Sequence, residues 1–304
     1  MKAAGFLRGR VFGALCGVLA AVCYGANPLG AVKLYDRAYT TGNVLLFRFV
    51  LAAAILAVVM ACRRVPLWPR RFRDAATVVS LGFLFAVSSL TFYDSFRLMD
   101  VGVVCTLLFV YPILTAIIMC VFFKERFSLS TGVSFVLALL GIACLSLGGG
   151  EHRVSAKGLC LIAVSALAYA VYIIVVNRTT PRLHVSTMTF WILVSCAFFI
   201  ALADLKTEGV SSLRLPADTA AWFYAAFLAV VPTLLSLVFM TYSSRLLGAT
   251  PTAILGALEP LTAVAIGVFC FGETLSTRLC IGLVLVLAAV VSVLAKKSPT
   301  ARAT

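Results

Sequence analysis

The chain has 304 residues, of which 62% are hydrophobic and 12% are charged, with a net charge of +14 and a mean hydropathy of +1.10. A soluble domain is about a quarter charged and about half apolar, so this composition excludes an ordinary soluble protein. The basic residues fall in short loops and at the ends of apolar runs rather than along one face, which argues against nucleic-acid binding. The sequence therefore predicts an all-α membrane protein.

Apolar runs long enough to cross a bilayer recur along the whole chain. A transmembrane helix needs about 20 mostly apolar residues. The first run begins like a secretory signal peptide, but we interpret it as an uncleaved span, because the first half of the chain is incomplete without it. We predict ten transmembrane helices, at approximately residues 11–32, 43–62, 75–98, 101–123, 128–148, 156–177, 186–205, 219–241, 248–272 and 277–295.

The basic residues predict the orientation. Ten spans place both termini on the same side of the membrane. With the N-terminus in the cytoplasm, sixteen Lys and Arg residues lie inside and eight outside, and Arg48 lies within a span. This bias follows the positive-inside rule, so both termini are expected to be cytoplasmic.

The two halves of the chain are related in sequence. Residues 95–139 align without a gap with residues 243–287, and twelve of the 45 positions are identical. Because each half contributes five spans, the copies insert in opposite orientations, as in many transporters. We predict two inverted five-helix repeats, 11–148 and 156–295, joined by an outer linker at 149–155. The alternative is that duplication only builds a stable bundle.

One acid stands within an apolar run. In "ALEPLTAVAIGVFCFGETLS" (257–276), Glu259 is predicted near the bilayer centre, where an acid costs about 2.5–3.5 kcal/mol. Burial favours its protonated form, so Glu259 is a candidate for solute binding and proton coupling. The alternative is a glutamic acid bonded to a neighbouring helix.

The repeat relates Glu259 to Tyr111, and a proline follows each of them ("LEPLT" and "VYPIL"). We expect both side chains to face a common cavity. Proline weakens the preceding helical turn, so Pro112 and Pro260 are predicted hinges, with simple kinks as the alternative.

Other polar residues within the spans complete the candidate site. Asp94 is a second candidate for proton coupling. Asp94 and Arg48 lie near the outer ends of their spans, where both could snorkel, but a structural ion pair is the favoured role for each. Glu125 and Glu273, at span ends, are interpreted as structural. The predicted cavity lining is Tyr24, Asn27, Tyr93, Tyr111, Tyr169, Tyr172, Tyr242 and Glu259.

Motifs of other protein classes are missing from the sequence. It contains no H-E-x-x-H, Walker A or G-x-S-x-G motif, which argues against an enzyme or an ATP-driven pump. The ten cysteines lie mostly in apolar runs and include no C-x-x-C pair, so no metal or other cofactor is expected.

The motifs "YP…FKERFS" and "LEP…FGETLS" resemble those of the ten-helix EamA-type carriers of the drug/metabolite transporter superfamily, over about residues 11–295. The resemblance implies that helices 1, 3, 4, 6, 8 and 9 surround a central cavity and that helices 5 and 10 brace the bundle. It also implies a secondary carrier of the bacterial inner (plasma) membrane. Small four-helix relatives couple to protons through a glutamate in their first helix. Spans 1 and 6 have no central acid here, which leaves Glu259, Asp94 or facilitated diffusion.

Three hypotheses for function follow. The leading one is a secondary active transporter that exports amino acids or other small metabolites by alternating access. The second is a flippase for a lipid-linked head group. A membrane enzyme or scaffold is disfavoured, because catalytic clusters and large loops are missing from the sequence. The expected partners are a small-molecule solute and membrane lipid; monomer and homodimer both remain open.

Overall fold

In the part of the chain that it describes, the computed structural model is built of helices joined by turns and short irregular stretches, without strands. That part comprises residues 2–69, 71–95, 98, 104, 107–108, 110–124, 129–146, 155–179, 184–207, 214–259, 261–262, 265–266 and 277–294. Pro260, Glu125, Glu273 and residues 149–154 of the predicted linker lie outside the described residues.

The helices follow one another through short connections. The first half contains α1 (Lys2–Gly25), α2 (Asn27–Tyr35), α3 (Thr41–Cys62), α4 (Phe72–Ser95), α5 (Tyr111–Phe123) and α6 (Leu129–Ser146). The second half contains α7 (Ala156–Thr179), α8 (Val185–Thr207), α9 (Thr219–Ala229), a π-helical segment (Val230–Leu235), α10 (Ser236–Leu247), α11 (Ala249–Leu255) and α12 (Thr277–Leu294).

Six helical segments of the described residues are long and apolar enough to cross a membrane: Gly9–Tyr35, Thr41–Cys62, Phe72–Ser95, Ala156–Arg178, Val185–Lys206 and Thr219–Leu247. They correspond to predicted spans 1, 2, 3, 6, 7 and 8. Shorter apolar helices, Tyr111–Phe123, Gly132–Gly141 and Cys280–Ala289, fall within predicted spans 4, 5 and 10. The chain is thus a multi-span helical membrane protein, and the count of ten spans stays a prediction.

Helix packing relates the two halves. Helix α1 packs on α10, and its counterpart α7 packs on α4. Helices in equivalent places also pack on each other, namely α3 on α8, α5 on α11 and α6 on α12. The last three pairs join equivalent helices of the two halves. The first two pairs are each other's counterparts when the halves are exchanged. Both relations are expected for two related repeats.

Residues at the helix ends explain several boundaries. The hydroxyl of Thr40 accepts a hydrogen bond from the backbone N–H of Asn43 and so caps α3. Asp218 caps α9 in the same way, through the backbone N–H of Ala221 at 2.7 Å. Gly248, between α10 and α11, has a φ of 96°, a conformation open to glycine but strained for other residues.

Pro232 accounts for the π-helical segment between α9 and α10. Proline has no backbone N–H, so the carbonyl of Leu228, four residues earlier, loses its usual helical donor. The hydroxyl of Thr233 donates to that carbonyl instead, at 2.7 Å. The wider turn that results is typical of π-bulges, which occur often at functional sites.

Candidate functional site

A small cavity lies between the two halves, beside Glu259. The centre of a water molecule can reach only about 20 Å³ of it, which is room for one or two waters. Small residues of α1 form one wall, and side chains of both repeats form the rest. The lining residues are Gly17, Ala20, Ala21, Tyr111, Tyr169, Ile173, Ser236, Met240, Thr252, Gly256 and Glu259.

Glu259 follows an interruption of the helical backbone. Helix α11 ends at Leu255, residues 256–257 form a turn, and helical backbone resumes at Leu258. The backbone N–H of Glu259 donates to the carbonyl of Gly256 at 2.9 Å. A break of this kind is tolerated at membrane depth where the backbone lines a cavity, which is where the structure places Glu259.

Helix α1 approaches this turn closely because it carries glycine there. A Cβ atom on Gly25 would lie 2.5 Å from the carbonyl oxygen of Glu259 and 2.7 Å from Cβ of Thr262. Any larger residue at position 25 would push the two helices apart. Glycine therefore sets the separation between the first span and the segment that holds Glu259.

Two of the tyrosines that line the cavity pack against each other. Tyr111, at the start of α5, is buried, and its hydroxyl donates to the carbonyl of Ala253 at 3.2 Å. Its ring meets that of Tyr169 edge to face, with centroids 4.8 Å apart. Since Tyr111 belongs to the first half and Ala253 to the second, this bond joins the two halves at the cavity.

A second polar cluster surrounds Arg48, in α3. This side chain is 1% exposed. Its Nε donates to the hydroxyl of Thr233 at 2.5 Å, one terminal nitrogen donates to the hydroxyl of Tyr93 at 3.2 Å, and the other donates to the carbonyl of Pro232 at 3.2 Å. Asn27 donates to the same Tyr93 hydroxyl at 2.9 Å. We call Arg48, Asn27, Tyr93, Pro232 and Thr233 the Arg48 cluster.

Tyr24 lies between the cavity and the Arg48 cluster. The guanidinium carbon of Arg48 is 5.3 Å from the centre of the Tyr24 ring, within the range of a cation–π contact. Tyr24 also interacts electrostatically with both Arg48 and Glu259. Glu259 and Arg48 also interact electrostatically with each other. The candidate site therefore has a carboxyl group at one end, a guanidinium at the other and an aromatic ring between them.

The comparisons with known proteins agree with this architecture. The model of the EamA-like transporter family matches residues 11–147 and again residues 156–295. The chain belongs to the EamA-like transporter family. It is a membrane transporter rather than an enzyme, and its partner is a small-molecule solute.

Similar proteins carry the same description. The uncharacterized transporter YdfC of Bacillus subtilis is 23% identical over 254 residues, which cover 82% of this chain and 80% of that protein. An uncharacterized transporter of Archaeoglobus fulgidus is 26% identical over 272 residues, covering 89% of this chain and 94% of that protein. A solved crystal structure superposes with a TM-score of 0.76 at 17% identity, over 93% of this chain and 96% of the other, and supports the fold.

In this EamA-like chain, the predicted lining residues fall into three groups. Tyr111, Tyr169 and Glu259 line the cavity. Asn27 and Tyr93 belong to the Arg48 cluster, with Tyr24 between the two regions.

The third group lies away from the cavity. Tyr172 is buried, its ring lies parallel to that of Tyr169 at 6.0 Å, and it also packs on the ring of Phe85. The Tyr242 ring packs on Phe12, with centroids 6.1 Å apart. Neither Tyr172 nor Tyr242 is among the cavity residues described above.

Of the two roles considered for Arg48, snorkelling and ion pairing, the structure rules out snorkelling. Its side chain is buried and bonds to hydroxyl and carbonyl groups of neighbouring helices, instead of extending to the membrane surface. Asp94, in the last turn of α4, is half-buried. The ion pairs seen among the described residues, Lys33 with Asp36 and Arg37 with Asp218, do not involve Arg48.

Pro112 lies in the first turn of α5, where proline is well tolerated because the missing N–H has no helical acceptor there. It therefore marks the start of a helix. Its role as a hinge stays a prediction.

The sequence analysis missed Thr233 and Pro232. The available signal was "VVPTLL" (230–235), a proline followed by a hydroxyl residue within an apolar span. Proline there frees a carbonyl and places Thr233 beside Arg48. Gly25 and Gly256 were also missed, because close helix approach leaves no pattern in a glycine-containing apolar run.

Proposed function

We propose that this chain is a secondary active carrier that exports a small polar metabolite, with amino acids among the candidates, by alternating access. The carrying observation is the position of Glu259 at a backbone break in a small cavity between two related halves. Transporters with inverted repeats place their solute sites at discontinuous helices between the repeats.

The proposed topology is two inverted five-helix repeats in a bacterial inner membrane, with both termini on the cytoplasmic side. The exchange relation among packed helix pairs supports it, as does the excess of basic residues in the predicted cytoplasmic segments. The helix start at Tyr111 and the turn at 256–257 lie at nearly equivalent places in the two halves. Rocking one half against the other would then open the cavity alternately to each side.

Glu259 is proposed to bind the solute or a proton, with Tyr111 and Tyr169 beside it. Its carboxyl group lies in a cavity that also contains Tyr111, Tyr169, Ser236 and Thr252. Asp94 is the alternative coupling group, and it lies outside the lining described for this cavity.

The test is solute efflux from proteoliposomes that contain the purified full-length protein. The vesicles are loaded with mixed amino acids and common metabolites, a proton gradient is imposed, and the released compounds are identified by mass spectrometry. We expect at least one compound to leave faster with inward-directed protons. Glu259→Gln should remove this acceleration, whereas Asp36→Asn, which changes an exposed acid, should retain it.

The controls separate the parts of the proposal. Protein-free vesicles give the passive leak of each compound. If the wild type and Glu259→Gln both release solute at a rate that does not depend on the proton gradient, proton coupling is contradicted and facilitated diffusion is supported. Release of no soluble compound, together with movement of lipid-linked sugars in the same vesicles, would support the flippase instead.

A further inference from the structure

The Arg48 cluster contains a buried cation that makes no close ion pair with a carboxylate among the described residues. Burying an unpaired charge is costly, and proteins normally place an acid beside it. Here the guanidinium donates to two hydroxyls and one carbonyl, and the hydroxyl of Tyr24 interacts with it as well. The rings of Tyr24 and Phe49, each 5.3 Å from its central carbon, supply only weak compensation.

Asn27 is a second, independent irregularity in the same place. Its side chain is 8% exposed, and its Nδ2 donates to Tyr93. Its Oδ1 is buried and has no hydrogen-bond partner within the described part of the chain. Leaving a buried acceptor unsatisfied costs about 1–3 kcal/mol, so such a group commonly marks a place for a ligand or water.

These two irregular groups are neighbours. Arg48 and Asn27 both donate to the single hydroxyl oxygen of Tyr93. The cluster thus offers a forked cation, which matches the geometry of a carboxylate, and an acceptor close to it. An organic acid with an N–H or O–H group next to its carboxylate would satisfy both.

We propose that Arg48 and Asn27 form the subsite that binds the carboxylate of the transported solute. This inference rests on the proposed function. Arg48 takes the carboxylate, and Oδ1 of Asn27 accepts from the donor group beside it. The solute class is therefore carboxylic acids that carry an amino or hydroxyl group on the adjacent carbon.

Alternating access explains how a buried guanidinium becomes available. Arg48 belongs to the first repeat, and its partners Thr233 and Pro232 belong to the second. When the halves separate at this end of the site, Thr233 and Pro232 move away and two of the three donors are released. The carboxylate then replaces them, so that solute binding compensates for the broken contacts.

The test measures binding by titration calorimetry with the full-length protein in lipid nanodiscs. The probes are matched pairs, each common L-amino acid or 2-hydroxy acid with its carboxamide. For at least one pair, we expect the wild type to bind the acid at least about tenfold more tightly than the amide, the usual scale of a charged hydrogen bond. Arg48→Gln should reduce this ratio to about one.

Two further variants control for folding and for charge. Arg37→Gln removes an exposed guanidinium near the end of α2 and should keep the wild-type ratio. Arg48→Lys keeps the charge but loses the planar fork, so an intermediate ratio is expected. If Arg48→Gln fails to fold, Arg48→Lys still tests the proposal.

Three results would overturn the inference. The wild type could bind amides as tightly as acids, Arg48→Gln could keep the preference for acids, or the wild type could bind none of the acids. In each case the efflux assay still reports whether the protein carries some other metabolite. A failure of this subsite is therefore distinguishable from a failure of the proposed function.

Discussion

Arg48 and Thr233 are 185 positions apart in the sequence, and the Nε group of the arginine donates to the hydroxyl of the threonine at 2.5 Å. The bond joins the two repeats through a side chain that is almost completely buried. The same hydroxyl donates to the carbonyl of Leu228, which Pro232 leaves without its helical partner. The hydroxyl of Thr233 thus accepts a hydrogen bond from a buried guanidinium and donates one to a carbonyl that lacks its helical donor.

Thr233→Val keeps the shape of this side chain and removes both hydrogen bonds. We expect a loss of about 1.5–3 kcal/mol in the free energy of unfolding, because a charged donor loses its acceptor. The measurement is denaturant unfolding in detergent. Thr241→Val is the matched control, since the hydroxyl of Thr241 bonds to the carbonyl of Leu237 in its own helix. Equal losses in the two variants would contradict a role for the link between the repeats.

Gly256→Ala tests the close packing beside Glu259. The added Cβ would collide with the hydroxyl of Tyr111 and would lie 3.0 Å from the carbonyl of Ala253, the two groups that bond each other. We expect efflux to fall by about tenfold or more, because small displacements at a binding site have large effects on rate. Gly9→Ala adds a methyl group where no atom lies within 4 Å and should leave efflux unchanged.

The inverted topology predicts opposite exposure for two equivalent loops. Asp36 follows the first span of the first half, and His184 follows the first span of the second half; both are exposed. In a variant without native cysteines, a membrane-impermeant maleimide added to intact spheroplasts should label Asp36→Cys. His184→Cys should react only after permeabilisation. Labelling of both positions from the same side would rule out the inversion.

Asp218 predicts a pH dependence of stability outside the membrane-spanning segments. The backbone N–H of Ala221 holds the pKa of this carboxyl below its usual value, and Arg37 contributes in the same direction. Because the pKa of Asp218 is lower in the folded protein than in the unfolded chain, where it is about 3.9, its ionised form stabilises the fold at pH values above about 3.9. This stabilisation is lost as the pH falls through the pKa of the folded state.

The corresponding measurement is the unfolding temperature of Asp218→Ala as a function of pH. The variant should unfold at a lower temperature than the wild type at pH 7, and the difference should narrow below about pH 4. Asp36→Ala, which removes an exposed acid at 4.0 Å from Lys33, should show a smaller difference at pH 7. A difference that persists unchanged at pH 3 would contradict the assignment.

The sequence named Glu259, Tyr111 and Tyr169 as candidate site residues, and that role stays a prediction, whereas the family and the helical membrane class are confirmed. These succeeded because apolar length and a repeated motif are local properties of the chain. The role of Arg48 was not predictable in this way, because its burial depends on a helix 185 positions away. The tyrosines illustrate the same limit, since Tyr172 and Tyr169 are three positions apart on one helix and only Tyr169 reaches the cavity.

The small cavity has a consequence for the cell that makes this protein. The cavity beside Glu259 has space for only one or two waters, so the cavity itself holds no continuous file of water. In the alternating-access cycle proposed above, a solute larger than water would enter this cavity only when the packed helices separate. Under the proposed mechanism, a cavity this small would keep proton leakage low between transport cycles.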